Sequence, residues 1–180
     1  AAAAGAAALP LLWPFLHDYQ RRRVLTLLDP SSDPLGAGYH IIQSTIAVGS
    51  GGHAGKGWLN GTQAHLEFIP ERHTDFIFAV VGEEMGLVGA LGVLSLYVFI
   101  VWRILQAARS ARDRFGCLAA VGLASMFGIY LLINTGMCLG FVPVAGVQLP
   151  LVSYGGSNLV AMLWALGIAE SIHSRRLAFF

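Results

Sequence analysis

The sequence predicts an all-α membrane protein: a multi-span helical bundle with a long extracytoplasmic loop that contains short interfacial helices. Three observations lead there. Of the 180 residues, 56% are hydrophobic and only 12% charged, whereas soluble domains carry about a quarter charged residues. Residues 85–102 hold no charge, and a helix of that length crosses roughly 30 Å of hydrocarbon. Residues 115–169 also lack Asp, Glu, Lys and Arg; that stretch is too long for one span and suits two of about 20 residues with a connector between them.

The whole chain, 1–180, reads as a single membrane domain. Residues 1–17 are apolar, without an initiator Met or the basic start of a signal peptide, and are expected to be an incomplete span in the C-terminal part of a larger protein. An Ala-rich linker is the alternative for residues 1–8. An outer loop is expected over 18–75, with turn signals at Asp29-Pro30 and Asp33-Pro34 followed by Gly36 and Gly38. Ile41, Ile42, Ile46 and Val48 then fit an interfacial amphipathic helix. Spans are expected at 76–105, 115–139 and 159–172. The connector, 140–158, is marked by Pro143, Pro150 and the Gly155-Gly156 pair.

Short loops set the orientation. Arg103, Arg109, Arg112 and Arg114 lie between the first two complete spans, and Arg175 and Arg176 follow the last. Both basic ends therefore face the cytoplasm, and residue 75 and the connector face outward. Arg21, Arg22 and Arg23 oppose this, but the rule weakens in a loop so long.

Several function classes fall away. A net charge of +1 lacks the cationic surplus of a nucleic-acid surface. Cys117 and Cys138 lie in apolar sequence without a CxxC and read as small hydrophobes. None of the six histidines falls in an HExxH pattern, so no dedicated zinc centre is expected; His65, Glu67, Glu71 and His73 read as a solvated loop face. The run GSGGHAGKG at 49–57 lacks the spacing and the Ser or Thr of a phosphate loop, and its loose GxGxxA match follows no strand. It is expected to be a flexible outer loop through which Lys56 approaches an anion.

Residues 70–78, PERHTDFIF, place Asp75 where a polar loop turns into a long apolar run. Two readings stand at this point: Thr74 or Asp75 caps the following helix, or Asp75 is a working acid at a membrane boundary. At 100° per residue, Ala79, Gly82, Gly86 and Gly89 fall within about 40° of Asp75, a small-residue strip that lets a helix or a lipid chain approach. Glu83 lies about 80° aside and Glu84 points away, so neither pairs directly with Asp75. Asn134, in the second long span, and Gln148, Ser153, Tyr154 and Ser157, in the connector, would hold helices together or line a cavity.

The strings DPLGAGYHIIQS, GSGG, GKGWLNGTQ, PERHTDFIFAVVGEE and PLVSYGGS, in this order and spacing, resemble the SEDS family of cell-wall polymerases, in its elongation branch more than its division branch. The resemblance implies a ten-span bacterial inner-membrane protein of which this chain supplies about the last four spans, and a fragment inactive alone. It implies peptidoglycan glycosyltransfer from lipid II, beside a class B penicillin-binding transpeptidase and membrane lipids. The family's essential outer-loop acid matches Asp75. The usual GVPLP is GVQLP here, with Gln148 in place of Pro, a departure that bears on the shape of the connector.

Under that resemblance Asp75 is a general base or a holder of a divalent cation, Mg or Mn. Lys56, Arg72 and His73 would meet the leaving pyrophosphate or lipid head groups; Thr74, Ser153, Tyr154 and Ser157 would contact substrate; and the Ala79, Gly82, Gly86 strip would floor a prenyl groove. Two other classes remain: a lipid-linked sugar flippase, and a non-catalytic scaffold for a transpeptidase.

Overall fold

The computed structural model describes residues 17–33, 36–62 and 73–175, and these contain helices and turns with no strand. The expected incomplete span at 1–17 lies outside the described residues apart from His17.

Both Asp-Pro signals start local structure. The Asp29 carboxylate accepts the Ser31 N–H at 3.2 Å after helix α1, Asp18–Leu28, and the 3₁₀ turn Pro30–Ser32 follows. The Asp33 carboxylate accepts the Ala37 N–H at 3.0 Å at the start of α2, Ala37–Ser50. Among its described residues, the segment expected as an outer loop thus carries short helices and turns. In α2, Ile42 and Ile46 are exposed, while Gly38, Ile41, Ser44 and Ala47 form the buried stripe. Three of these four residues, Gly38, Ser44 and Ala47, are small and let α2 approach its neighbour closely.

Three longer helices follow: α3, Ile77–Arg109; α4, Arg114–Cys138; and α5, Gly156–Ser174. The Asp113 carboxylate caps α4 by accepting the Gly116 N–H at 2.9 Å. α3 and α4 are long and apolar enough to cross a membrane, and the chain is a membrane protein. They pack against one another and against α5, around Tyr97, Ala120, Ala124, Phe127, Met162 and Ala165. Small residues one turn apart permit this close contact where lipid offers no hydrophobic drive. Val98, Leu118, Leu132 and Trp164 point outward and are exposed, an apolar surface that suits lipid tails or further helices. Ser110 Oγ lies 3.4 Å from His173 Nδ1, so the arginine-bearing ends of α3 and α5 meet at one end of the bundle.

α3 is not continuous. Gly86 has φ 64° and ψ −158°, a conformation essentially restricted to glycine, and it lies about 13 Å along the axis from Ile77 at about 1.5 Å per residue. A break at that depth leaves backbone groups that need partners from the protein. Residues 51–57 supply them. Lys56 N–H donates to the Glu83 carbonyl and Gly57 N–H to that of Glu84, each at 3.0 Å; Leu87 N–H donates to Gly52 at 2.9 Å and Val88 N–H to His53 at 3.2 Å. The glycine run expected to be a flexible outer loop is therefore a plug in the broken helix. Its glycines permit backbone contact: a Cβ at Gly51 would collide with the Gly82 carbonyl, and one at Gly55 with that of Glu84.

Gly86→Ala would force a left-handed residue and drive a Cβ against the Gly55 nitrogen. It is expected to cost about 1–3 kcal/mol, measurable as a lowered unfolding temperature of the intact protein in detergent. An unchanged unfolding temperature would show that the plug does not depend on the glycine.

Candidate active site around Asp75

Residues 73–76 form a turn ahead of α3, and the N-cap position falls on Phe76, one residue beyond Asp75. Phe76 is buried with Phe78, Ala79, Ala47 and Cys138, which fixes where the turn enters the bundle. Asp75 itself is half-buried.

Three successive carbonyls of this turn are held by distant residues. Tyr154 N–H donates to His73 at 2.7 Å. The Ser153 hydroxyl donates to Thr74 at 2.5 Å and accepts the Leu149 N–H at 2.8 Å. Asn134, fully buried on α4, donates one Nδ2 hydrogen to the Asp75 carbonyl at 2.8 Å and the other to Val147 at 2.7 Å. The connector is thereby folded onto the turn. Three more contacts secure it: Tyr97 OH donates to the Pro150 carbonyl, Leu149 is fully buried, and Arg23 donates to Val144 at 2.7 Å. Gly146, at φ 67°, stands so close that a Cβ there would lie 3.5 Å from Asp75 Oδ2.

Beside this clamp runs an open groove of about 460 Å³, lined by His73, Ile77, Leu151, Ser153, Tyr154 and Gly155 among others. Tyr154 is 79% exposed, which leaves its ring available to a ligand in the groove. Five of the sequence-predicted residues, His73, Thr74, Asp75, Ser153 and Tyr154, are thus gathered at one place. Ser157 lies just beyond, in the first turn of α5, on a neighbouring groove with Trp164.

Other expected residues fall elsewhere. Lys56 sits in the plug, its Nζ 2.7 Å from Glu83 Oε1 and 2.8 Å from Thr62 Oγ1. Glu83 is fully buried, and a charge inside an apolar helix was itself the signal for a partner such as Lys56. Arg72 lies outside the described residues, as do His65, Glu67 and Glu71. The Ala79, Gly82, Gly86 strip does not floor a prenyl groove. It is buried, with Gly82 against Val48 of α2 and Gly86 against His53 and Gly55, because small residues there admit the chain's own backbone. Asn134, which the sequence left between adhesive and cavity-lining roles, holds segments together.

Among the described residues no three His, Cys, Asp or Glu side chains gather as a metal site. The Asp75 carboxylate faces Gly146 of the connector, and the residues on either side of this turn, His73 and Ile77, line the groove.

Ser153→Ala would leave both the Leu149 N–H and the Thr74 carbonyl without this partner. The expected loss is about 1–3 kcal/mol, seen as a lowered unfolding temperature; no change would mean the hydroxyl does not secure the connector.

Comparison with known proteins gives consistent matches. The family model described as cell cycle protein, for FtsW, RodA and SpoVE, matches residues 2–177. The peptidoglycan glycosyltransferase MrdB of Escherichia coli K12 is 60% identical over 172 residues, covering 95% of this chain and 46% of MrdB. The peptidoglycan glycosyltransferase RodA of Treponema pallidum is 44% identical over 162 residues, covering 90% of this chain and 37% of its own length. A solved peptidoglycan synthase complex, described as coordinating polymerization and crosslinking, matches with a TM-score of 0.72 and 40% identity, over 98% of this chain and 48% of that one. The chain spans about half the length of the curated relatives it matches.

Proposed function

Because the chain belongs to the cell cycle protein family of FtsW, RodA and SpoVE, we propose that it forms part of a peptidoglycan glycosyltransferase. The intact protein would polymerise lipid II into glycan strands during cell elongation and shape maintenance, in the bacterial inner membrane, with a class B penicillin-binding transpeptidase as its partner. The relatives' names and the synthase complex support this reading. In this reading α5 is a third span and Asp75 faces outward. The observation that carries the site assignment is the clamp on three consecutive carbonyls, which fixes the main chain of Asp75 between His73 and Ile77, two residues that line an open groove.

In the proposed reaction an acceptor sugar hydroxyl attacks the anomeric carbon of the donor. The new C–O bond forms as the bond to the lipid pyrophosphate breaks, and the electron pair leaves on the pyrophosphate oxygen. The Asp75 carboxylate takes the hydroxyl proton, a role worth about 10²–10⁴-fold in rate. His73 and Tyr154 at the groove would orient substrate, with Ser157 at its edge; Ser153 and Thr74 act chiefly by holding the turn. Arg72, next to His73 in sequence, is proposed to meet the leaving pyrophosphate, and membrane lipid surrounds the bundle. As the alternative to the base role, Asp75 would hold a divalent cation, Mg or Mn, which would supply charge neutralisation at the pyrophosphate.

Asp75→Asn in the intact protein with its partner is expected to lower lipid II polymerisation at least about 100-fold while leaving the unfolding temperature and partner binding unchanged. Polymer yield near wild type would contradict the assignment. Lipid transport across the bilayer without polymer would favour a flippase, and glycan synthesis indifferent to Asp75 would favour a scaffold.

A further inference from the structure

We infer that Lys56 and Glu83 are positioning residues for Asp75: their ion pair locks the glycine plug into the break of α3 and so fixes the helical segment that begins next to the acid. The inference rests on the proposed glycosyltransferase reading for its kinetic consequence.

The break at Gly86 is the starting point. Residues 77–85 are separated by a non-helical glycine from the rest of α3, so the continuing helix does not dictate their rotation or height. Other contacts must. Gly82 packs against Val48 of α2, Phe78 and Ala79 pack with Ala47 and Cys138, and the plug holds the inner end through the Glu83 and Glu84 carbonyls. Of these, the Glu83 contact is the most demanding. Its carboxylate has no exposure and is met by Lys56 Nζ at 2.7 Å and by Thr62 Oγ1 at 3.1 Å. Lys56 also donates its backbone N–H to the Glu83 carbonyl, gripping the same residue by main chain and side chain. Attraction between opposite charges in a desolvated site is strong, and removing one member strands the other. The pair therefore sets the register between plug and helix.

Asp75 stands in the turn just before the other end of the same short segment, whose helical part from Ile77 to Glu83 spans about 9 Å at about 1.5 Å per residue. That separation keeps Glu83 from touching the reacting atoms. A shift or rotation of the segment would nevertheless move Asp75 against the connector that holds it, and displacement by about 1 Å can cost on the order of 100-fold in rate. The role differs from a pyrophosphate ligand in one checkable respect: a ligand role belongs to Lys56 alone, whereas positioning belongs equally to Glu83.

The test uses the intact protein with its partner and lipid II. Lys56→Ala and Glu83→Gln should each lower kcat about 10- to 100-fold with KM changed less than about threefold, and the double variant should be no worse than either single one. Lys56→Arg should recover most of the rate. The double variant strands no charge and keeps the experiment informative if a single variant folds poorly. As a second readout, labelling of the buried Cys138 by a maleimide in a Cys117→Ser background should quicken about tenfold in Glu83→Gln, because the segment covering that thiol is loosened. A raised KM in Lys56→Ala with Glu83→Gln unaffected would overturn the inference in favour of a substrate-binding lysine. Lowered unfolding temperatures with unchanged kcat would overturn it in favour of a purely structural pair. If the wild-type protein makes no polymer, the glycosyltransferase reading fails, and the labelling rate alone decides whether the pair fixes the segment.

Discussion

One buried carboxamide joins two of the irregular segments of this chain. Asn134 comes from the apolar interior of α4 and donates to the Asp75 and Val147 carbonyls at once, binding the turn before α3 to the connector after α4. Interhelical hydrogen bonds in membranes contribute only about 0.6 kcal/mol on average, whereas a buried carbonyl left without a partner costs about 1–3 kcal/mol. The comparison shows what the residue is for: it adds little to stability directly, but it makes every arrangement that separates turn from connector expensive. Ser153 and the Tyr154 N–H extend the same logic to the two preceding carbonyls.

The same requirement governs the break in α3. Irregular backbone at membrane depth survives only when the protein supplies its hydrogen bonds, and the plug at 51–57 does so from a region of sequence that looks like a surface loop. Two irregular features, plug and connector, thus hold the two ends of one short helical segment. The clamp on Asp75 acts through its main-chain carbonyl, so the carboxylate can be changed without removing that bond. At Ser153 one hydroxyl serves both the connector and the edge of the groove.

The sequence revealed what depends on local pattern. Uncharged stretches gave α3 and α4, the Asp-Pro pairs gave the starts of the 3₁₀ turn and α2, and a set of ordered motifs pointed to the turn and the connector that the fold brings together. What stayed hidden depends on pairing over distance. Gly82, Gly86 and Gly89 look alike on a helical wheel, and only the approach of a second backbone makes Gly86 a break and Gly82 a packing site. Lys56 read as a free cation because Glu83 lies on the far side of a long intervening segment. The buried face of α2 was also hidden, because the smaller Ser44 and Ala47 share it with Ile41.

The most direct test of the account measures polymerisation per folded molecule in an Asn134→Leu variant of the intact protein. Leucine keeps the volume and apolar packing of the α4 interior but donates to neither carbonyl. The account predicts a protein that still folds and binds its partner, yet polymerises lipid II at least about tenfold more slowly because Asp75 is no longer held against the connector. Wild-type turnover by a folded Asn134→Leu protein would contradict it.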